Sequence, residues 1–243
     1  MKKQFIKILT LFVSVFIFPI LLFGKTEVPS SPRSVNAIKK VRPKLERELN
    51  KKGLSYGSSV FIRIFKKTKE LEVWLGKGDK FRLFRIYKIC TYGSGNLGPK
   101  LRRGDGQAPE GFYFVPSYRM NPESRFHLSF NIGYPNKFDR TRKRTGSALM
   151  VHGKCVSIGC YAMTDNNIEE IYALADAAFK NGQSFFRIHI FPFRMTQSNL
   201  DKYKKSGWSG FWKNLKEGYD FFEDLGKPPD VDVKNKHYIF RSS

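Results

Sequence analysis

A histidine and a cysteine that could act together lie close in the sequence. Residues 152–160 read His-Gly-Lys-Cys-Val-Ser-Ile-Gly-Cys, in a protein with only 4 histidines and 3 cysteines among 243 residues. A cysteine attacks a carbonyl carbon as its thiolate, and a histidine can remove the thiol proton and later return it. The pattern predicts cysteine acyl-transfer chemistry, with His152 as the base and Cys160 as the nucleophile.

The glycine before this cysteine supports the same chemistry. Because Gly159 has no side chain, the backbone there can approach a bound carbonyl closely. Consecutive backbone N–H groups are then free to face the oxyanion that forms when the thiolate attacks. We therefore expect the backbone beside Cys160 to stabilise the negative charge of the reaction.

The same residues admit other roles. Cys160 could be a buried structural thiol, and His152 a core histidine. Cys155 could pack in the core, form a disulfide with Cys90, or act as the nucleophile in place of Cys160. Three cysteines are an odd number, so a disulfide framework is not the main source of stability and at least one thiol stays free or pairs between chains.

A zinc site would use His152, Cys155 and Cys160 together. Structural zinc sites usually have four ligands and a Cys-x-x-Cys pair. The sequence has no such pair, and its other histidines are scattered. We therefore expect no metal and no other cofactor.

Short strands are predicted on both sides of the motif. They are rich in β-branched and aromatic residues, and residues 76–79 read as a hairpin turn. The predicted strands are Val60–Phe65, Leu71–Leu75, Phe81–Cys90, Gly111–Val115, Phe126–Phe130, Ser147–Val151 and Ser184–Phe191. Segments 93–110 and 134–146 are long and rich in glycine, proline and charge, which predicts loops that shape a substrate site.

Helical spacing is confined to three other segments. Apolar residues recur at helical intervals over 38–49, where Pro43 must lie in the first turn or mark a kink. A second helix follows the motif over 164–182, and an aromatic stripe over 208–222 predicts a helix that packs on the sheets. The fold class is mainly β and sandwich-like, with an α-helical extension at each end.

The motif resembles that of the L,D-transpeptidase catalytic domain, also called the YkuD domain. The family has His-Gly followed by Ser-x-Gly-Cys, and here these are His152-Gly153 and Ser157-Ile158-Gly159-Cys160. Residues 69–74 resemble its first hairpin, and Ala-Pro-Glu-Gly at 108–111 resembles the segment that leads into one of its strands. The resemblance extends over residues 57–192.

Two departures from the usual family pattern resemble the YafK-like branch. Only residues 154–156 separate the two halves of the motif, and Ile158 replaces the histidine of the usual Ser-His-Gly-Cys. Tyr-Ala-Met at 161–163 replaces the arginine or asparagine that usually follows the cysteine. The runs at 106–113, 124–131 and 211–220 are similar to that branch as well.

The resemblance implies a role for each motif residue. Cys160 would be the nucleophile and His152 the base, oriented by the main-chain carbonyl of Gly153. The oxyanion would bind the backbone N–H groups of Ile158, Gly159 and Cys160. The implied function is a peptidoglycan L,D-transpeptidase-type acyl transferase that acts on stem peptides through a thioester at Cys160.

Three alternatives remain open. The thioester could be resolved by water, in a hydrolase that releases covalently bound outer-membrane lipoprotein from the wall, since the short 152–160 spacing removes a loop from the site. The protein could instead hydrolyse a different amide. It could also be a catalytically inactive, cationic wall-binding module, although the intact His152 and Cys160 pair argues against this.

The predicted chain organisation begins with a targeting segment. Residues 1–24 read as a signal peptide or an N-terminal anchor, and residues 25–56 as a linker and helix. The catalytic domain is predicted over 57–195 and a helical C-terminal extension over 196–243. The apolar run at 8–23 is short for a bilayer span, which needs about 20 residues. The expected location is the periplasm, with that run either cleaved or kept as a membrane anchor.

The net charge of +23 requires an explanation from the surroundings or from a partner. The export signal argues against nucleic acid, and no nucleic-acid-binding motif is present. An anionic envelope polymer or membrane surface is the expected partner, beside the peptidoglycan stem peptides and the wall-linked lipoprotein that the resemblance implies.

Overall fold

The computed structural model describes residues 27–242 of the chain. The predicted targeting segment, residues 1–24, lies outside the described residues. Within 27–242, no helix is both long enough and apolar enough to cross a membrane.

Two mixed five-stranded sheets hold most of the β-structure. Their strand orders are β3-β2-β1-β10-β5 and β4-β9-β8-β7-β6, and β11 and β12 form a separate hairpin. The strands are β1 (Val60–Phe65), β2 (Glu70–Lys77), β3 (Lys80–Lys88), β4 (Thr91–Tyr92), β5 (Gly111–Pro116), β6 (Met120–Asn121), β7 (Ser129–Asn131), β8 (Met150–His152), β9 (Tyr161–Ala162), β10 (Phe185–Phe191), β11 (Asp230–Lys234) and β12 (His237–Arg241). These sheets agree with the predicted mainly β class, and the sandwich-like arrangement stays a prediction.

Five helices accompany the sheets in the described chain. They are α1 (Pro32–Lys51), α2 (Lys137–Thr141), α3 (Asp165–Lys180), α4 (Gln197–Lys202) and α5 (Ser209–Leu225). The helix predicted after the motif is α3, which ends at Lys180, just before the predicted Gly182. A single 3₁₀ turn also spans Ser117–Arg119.

Strand β1 is central because it is buried on both faces. It pairs in parallel with β10 and antiparallel with β2, and all six of its residues are buried. Successive side chains point to opposite sides of a sheet. Ile62 and Ile64 therefore join the main core, whereas the ring of Phe61 packs on Phe222 of α5 with centroids 4.8 Å apart. The aromatic stripe of α5 is thus a packing face, as predicted.

Helix α1 begins earlier than the sequence indicated. The Ser31 side chain accepts a hydrogen bond from the Ser34 backbone, the Ser34 hydroxyl completes the capping box, and Pro32 occupies the first turn. The sequence predicted a linker over residues 25–36, and residues 32–36 of it are instead helical. Pro43 lies in the helix interior and not in its first turn, on an exposed position opposite the buried face.

The C-terminal segment is only partly helical. Helices α4 and α5 cover much of it, but β11 and β12 form a hairpin after Leu225, so a helical extension over all of 196–243 is wrong at its end. The hairpin turn is Asn235-Lys236, with φ of 50° and 60°. Two successive left-handed residues are what a type I′ turn requires.

The two predicted strands nearest the motif are shorter than expected. They are β7 and β8, with three residues each.

Cys90 and Cys155 form a disulfide, with Cα atoms 5.5 Å apart. The bond links the residue before β4 to the loop that follows His152. It decides between the roles left open for Cys155, because a disulfide sulfur is neither a nucleophilic thiolate nor a zinc ligand in the set proposed from the sequence. Cys160 is the free cysteine of the described residues.

We expect a thiol-specific chromogenic reagent to titrate one thiol per chain in denatured, unreduced protein and three after reduction. The reason is that all three cysteines lie within the described residues and two of them are bonded to each other. A Cys90→Ser/Cys155→Ser double variant should give one thiol under both conditions. Three thiols in the unreduced wild type would contradict the bond.

His189 on β10 is buried, 1% exposed, and neither of its ring nitrogens has a hydrogen-bond partner within the described residues. Its ring lies between those of Phe61 and Phe112, with centroids 4.7 Å from each. Burial lowers the pKa of His189 well below 6.5, and the positive charges of Arg187 and Arg63 lower it further. The folded protein therefore holds this imidazole neutral.

This predicts a loss of stability in mild acid. The unfolded chain binds a proton at His189 below its ordinary pKa of about 6.5, and the folded chain does not. The contribution of His189 to the free energy of unfolding is therefore complete above that pH, and it decreases as the pH is lowered further. The slope from one such group approaches about 1.4 kcal/mol per pH unit. Chemical denaturation between pH 7 and 5 should show a smaller decline in His189→Phe. His237→Gln, on an exposed position, should keep the wild-type decline, and equal declines in all three proteins would refute this account.

Candidate active site

Strands β8 and β9 bring His152 and Cys160 to one place. They pair in parallel, with Val151 opposite Tyr161 and His152 opposite Ala162. Cys160 immediately precedes β9, so its position corresponds to Met150, two residues before His152 and on the same face. Both side chains line one cavity. The two residues singled out by the sequence therefore share a site.

The imidazole of His152 is held in one orientation. It is buried, and its Nδ1 lies 2.6 Å from the carbonyl oxygen of Gly153. A carbonyl only accepts hydrogen bonds, so Nδ1 carries the hydrogen and Nε2 keeps its lone pair. The ring of Phe126 covers it, with centroids 4.7 Å apart. Burial lowers the pKa of His152, against the opposing effect of the Gly153 hydrogen bond, so the ring is neutral at pH 7 and can accept a proton at Nε2.

The thiol of Cys160 is half-buried and rests as a thiol. Its Sγ accepts from the Met150 backbone N–H at 3.4 Å and donates to the carbonyl oxygen of Ala148 at 3.7 Å. Burial raises the pKa of this thiol, while the Met150 N–H and the charge of Lys100 act in the opposite direction. Together with neutral His152, this means that the reactive ion pair would form during the reaction rather than before it.

The Ser157 hydroxyl stabilises the segment over residues 157–160 by hydrogen bonds, a role that the sequence did not assign to it. Its hydroxyl donates to the Cys160 carbonyl at 2.7 Å and accepts from the N–H groups of Gly159 and Gly93 at 3.0 and 3.2 Å. The Gly159 N–H is therefore occupied within the loop. Of the three oxyanion donors implied by the resemblance, Ile158 and Cys160 remain as candidates.

A side chain would be strained at one motif glycine and would clash at the other. Gly159 has φ of +154°, and a Cβ there would lie 3.2 Å from the carbonyl oxygen of Gln107. A Cβ on Gly153 would lie 2.6 Å from Oδ1 of Asp165, which accepts a hydrogen bond from the Lys154 N–H at 2.8 Å. The start of α3 thus packs directly against Gly153, whose carbonyl oxygen orients His152.

The loop over 93–110 is anchored by a buried ion pair. Lys66, just after β1, and Glu110, just before β5, lie 3.0 Å apart and are fully buried. Gly98 forms hydrogen bonds with both residues. Its carbonyl oxygen accepts from Lys66 at 2.7 Å, and its N–H donates to Glu110 at 2.7 Å. Trp212 of α5 also donates to Glu110, at 2.8 Å. Burial lowers the pKa of Lys66, and the Glu110 carboxylate raises it.

The cavity beside Cys160 is open and positively charged. Its volume is about 690 Å³, and it is bounded in part by the loops predicted at 93–110 and 134–146. Lys100, Arg103 and Arg125 line it, and no acidic residue of the described chain, 27–242, does. Lys100 is bonded to Asp105 at 2.5 Å, whereas neither Arg103 nor Arg125 has an ion-pair partner among residues 27–242. The contribution of Arg125 and Phe126 was not foreseen, because Phe126 was predicted to begin a strand and Arg125 was given no role.

The zinc alternative does not fit the structure. Its ligand set required Cys155, which is bonded to Cys90. The part of the chain that the structure describes also contains no group of three or more histidine, cysteine, aspartate or glutamate side chains placed to hold a metal ion.

Comparison with known proteins gives a family match over the region that contains this site. The family model for the L,D-transpeptidase catalytic domain (YkuD) matches residues 59–190. The Escherichia coli K12 protein named "Putative L,D-transpeptidase YafK" is 47% identical over 183 residues, which are 75% of this chain and 74% of that protein.

Two solved structures are similar at low sequence identity. The helical cell shape determining protein Pgp2 of Campylobacter jejuni has a TM-score of 0.44 and 19% identity, over 79% of this chain and 80% of its own. Bd1075 of Bdellovibrio bacteriovorus has a TM-score of 0.38 and 20% identity, over 75% of this chain and 84% of its own.

The family match runs from β1 almost to the end of β10 and includes the whole motif from His152 to Cys160. The identity to the Escherichia coli protein confirms the resemblance to the YafK-like branch. The chain therefore belongs to the L,D-transpeptidase catalytic domain (YkuD) family.

Proposed function

We propose that this protein is a peptidoglycan L,D-transpeptidase-type cysteine acyl transferase that acts on stem peptides through a thioester at Cys160. The observation that carries the proposal is the pairing of a neutral imidazole, oriented through Nδ1 by the Gly153 carbonyl, with the thiol of Cys160 in one cavity. A neutral imidazole next to a thiol can act as the general base that activates a cysteine nucleophile.

The reaction would proceed in two halves. Nε2 of His152 accepts the thiol proton as Sγ attacks the carbonyl carbon of the donor stem peptide, and the backbone N–H groups of Ile158 and Cys160 stabilise the oxyanion. The imidazolium then gives its proton to the leaving amine, which leaves a thioester. An acceptor amine attacks the thioester, His152 takes the amine proton and returns it to sulfur, and the new amide departs.

Electrostatics support stem peptides as the substrate class. The cavity has three basic residues and no acidic residue at its lining, so it favours a ligand that carries carboxylates. Stem peptides with a diaminoacid present such groups beside the bond that would be attacked. Arg103 and Arg125 are exposed and can form charge-assisted hydrogen bonds with them.

Hydrolysis is the second candidate, supported by the exposure of the site. Val156 and Ile158 line the cavity next to Cys160, and the Ile158 side chain is 90% exposed. An open thioester can be reached by water as well as by an amine. A protein of this kind would release covalently bound outer-membrane lipoprotein from the wall by cutting its amide bond.

The proposed location is the periplasm, with residues 8–23 either cleaved or retained as an anchor. The charge of +23 supports contact with an anionic envelope polymer or membrane surface. An inactive wall-binding module would need neither the oriented imidazole nor the free thiol, so their arrangement favours an enzyme.

We expect Cys160→Ala to abolish turnover of isolated sacculi, by roughly a thousandfold or more, because no other thiol lines the cavity. Carbapenem acylation should likewise add one adduct to the wild type and none to Cys160→Ala, as read by intact-mass spectrometry. The Cys90→Ala/Cys155→Ala pair is the matched control and should still be acylated. An adduct that persists in Cys160→Ala would exclude the proposed nucleophile.

The same sacculus digests distinguish the two directions. Muropeptide dimers newly joined between two diaminoacids would identify the transferase. Loss of lipoprotein-derived adducts, with tripeptides left behind and no new dimers, would identify the hydrolase.

Arg125→Gln and Arg103→Gln should raise the KM for a soluble stem peptide by about tenfold or more with little change in kcat, because a hydrogen bond to a charged group contributes about 1.5–3 kcal/mol. Steady-state kinetics would measure this. Lys154→Gln removes a charge from an exposed motif residue that does not line the cavity, and it should leave KM unchanged. An equal rise of KM in all three variants would show that net charge, and not a carboxylate site, governs binding.

A further inference from the structure

A second cavity lies away from Cys160, between the first sheet and the C-terminal hairpin. Its volume is about 340 Å³, and it shares no lining residue with the cavity of the motif. One wall comes from β5 and β10 and the other from β11. A volume of a few hundred Å³ is typical of a small-molecule site.

Six of the residues that line this cavity are phenylalanines or tyrosines. Phe114 and Phe185 are 51% and 37% exposed, and their rings meet edge to face with centroids 5.6 Å apart. Phe112, Phe138 and Tyr238 line the cavity from buried positions. Exposed aromatic rings next to a cavity offer flat apolar faces on which a ligand ring can stack.

His189 lines the same cavity with two unused nitrogens. It is 1% exposed, and neither Nδ1 nor Nε2 has a hydrogen-bond partner in the part of the chain that the structure describes. A buried polar atom without a hydrogen bond is costly, typically by about 1–3 kcal/mol, and most such atoms in proteins are paired. A neutral imidazole has one donor and one acceptor, which suits a ligand group that can both give and accept a hydrogen bond, such as a hydroxyl.

The charges around this cavity cancel. Arg187 is paired with Asp230, and Lys137 with Asp232, and both pairs join the hairpin to the rest of the protein. No other lining residue carries a full charge when His189 is neutral. In a chain of net charge +23, with a purely basic cavity at Cys160, this balance selects a neutral ligand.

We propose that this cavity binds a neutral sugar ring of a glycan. A pyranose presents apolar C–H faces that can stack on Phe114 and Phe185, and hydroxyls that can pair with His189 and with the carboxylates at the rim. Only the identity of the polymer rests on the proposed function, which makes it the amino-sugar strand of peptidoglycan. The site would hold the enzyme on the glycan while Cys160 reaches the attached peptides.

Isothermal titration calorimetry with a β-1,4-linked N-acetylglucosamine tetramer tests the site without catalysis. We expect saturable binding to the wild type and to Cys160→Ala, weakened about fivefold or more in Phe185→Ala. His189→Phe keeps the ring packing and removes both nitrogens, so it should weaken binding as well. Leu83→Ala is the control, because Leu83 is exposed to the same 37% as Phe185 but lies on β3 outside the cavity.

Three results would overturn the proposal. They are no binding by the wild type at millimolar tetramer, an equal loss in Leu83→Ala, and displacement of the tetramer by a glycan-free stem peptide, which would assign the cavity to peptides. Activity separates this proposal from the preceding one. Phe185→Ala should turn over a soluble stem peptide at the wild-type rate and lose activity only on intact sacculi, whereas failure on both substrates would point to a fault in the enzyme itself.

Discussion

The buried pair of Lys66 and Glu110 is the interaction on which the arrangement of this protein depends. Removing two charges from water costs several kcal/mol per ion, and their attraction offsets this only when the remaining hydrogen-bonding groups are satisfied. Here the three ammonium hydrogens of Lys66 reach the carbonyls of Gly98 and Ala108 and the carboxylate of Glu110. The carboxylate is further bonded to Trp212. One ion pair thus joins the end of β1, the loop over 93–110 and α5.

That loop in turn holds the cysteine segment in place. The N–H of Gly93 donates to Ser157, and a Cβ on Gly93 would lie 2.1 Å from the carbonyl oxygen of Gly106 and 3.1 Å from the Cα of Gly159. The disulfide between Cys90 and Cys155 also joins the residue before β4 to the cysteine segment covalently. The position of the Cys160 thiol therefore depends on contacts between two loops more than on the two short strands beside it.

Burial sets the resting charge of both proposed catalytic groups. It lowers the pKa of His152 and raises that of Cys160, so each is held in its neutral form. The charge of Lys100, which lines the cavity, opposes this effect at the sulfur because it favours the thiolate. The two cavities contrast in the same terms, one lined by unbalanced positive charge and the other by paired charges around aromatic rings.

Local sequence by itself determined the motif, the bounds of β1, the hairpin turn between β2 and β3, the helix after Met163 and the packing stripe of α5. These follow from side-chain periodicity and turn residues, which act over a few positions. Tertiary structure alone decided that Cys155 pairs with Cys90, that the Ser157 hydroxyl accepts from the Gly93 N–H and that Lys66 meets Glu110. Each of those depends on residues far apart in the chain or on burial, and periodicity has no information about which distant groups meet.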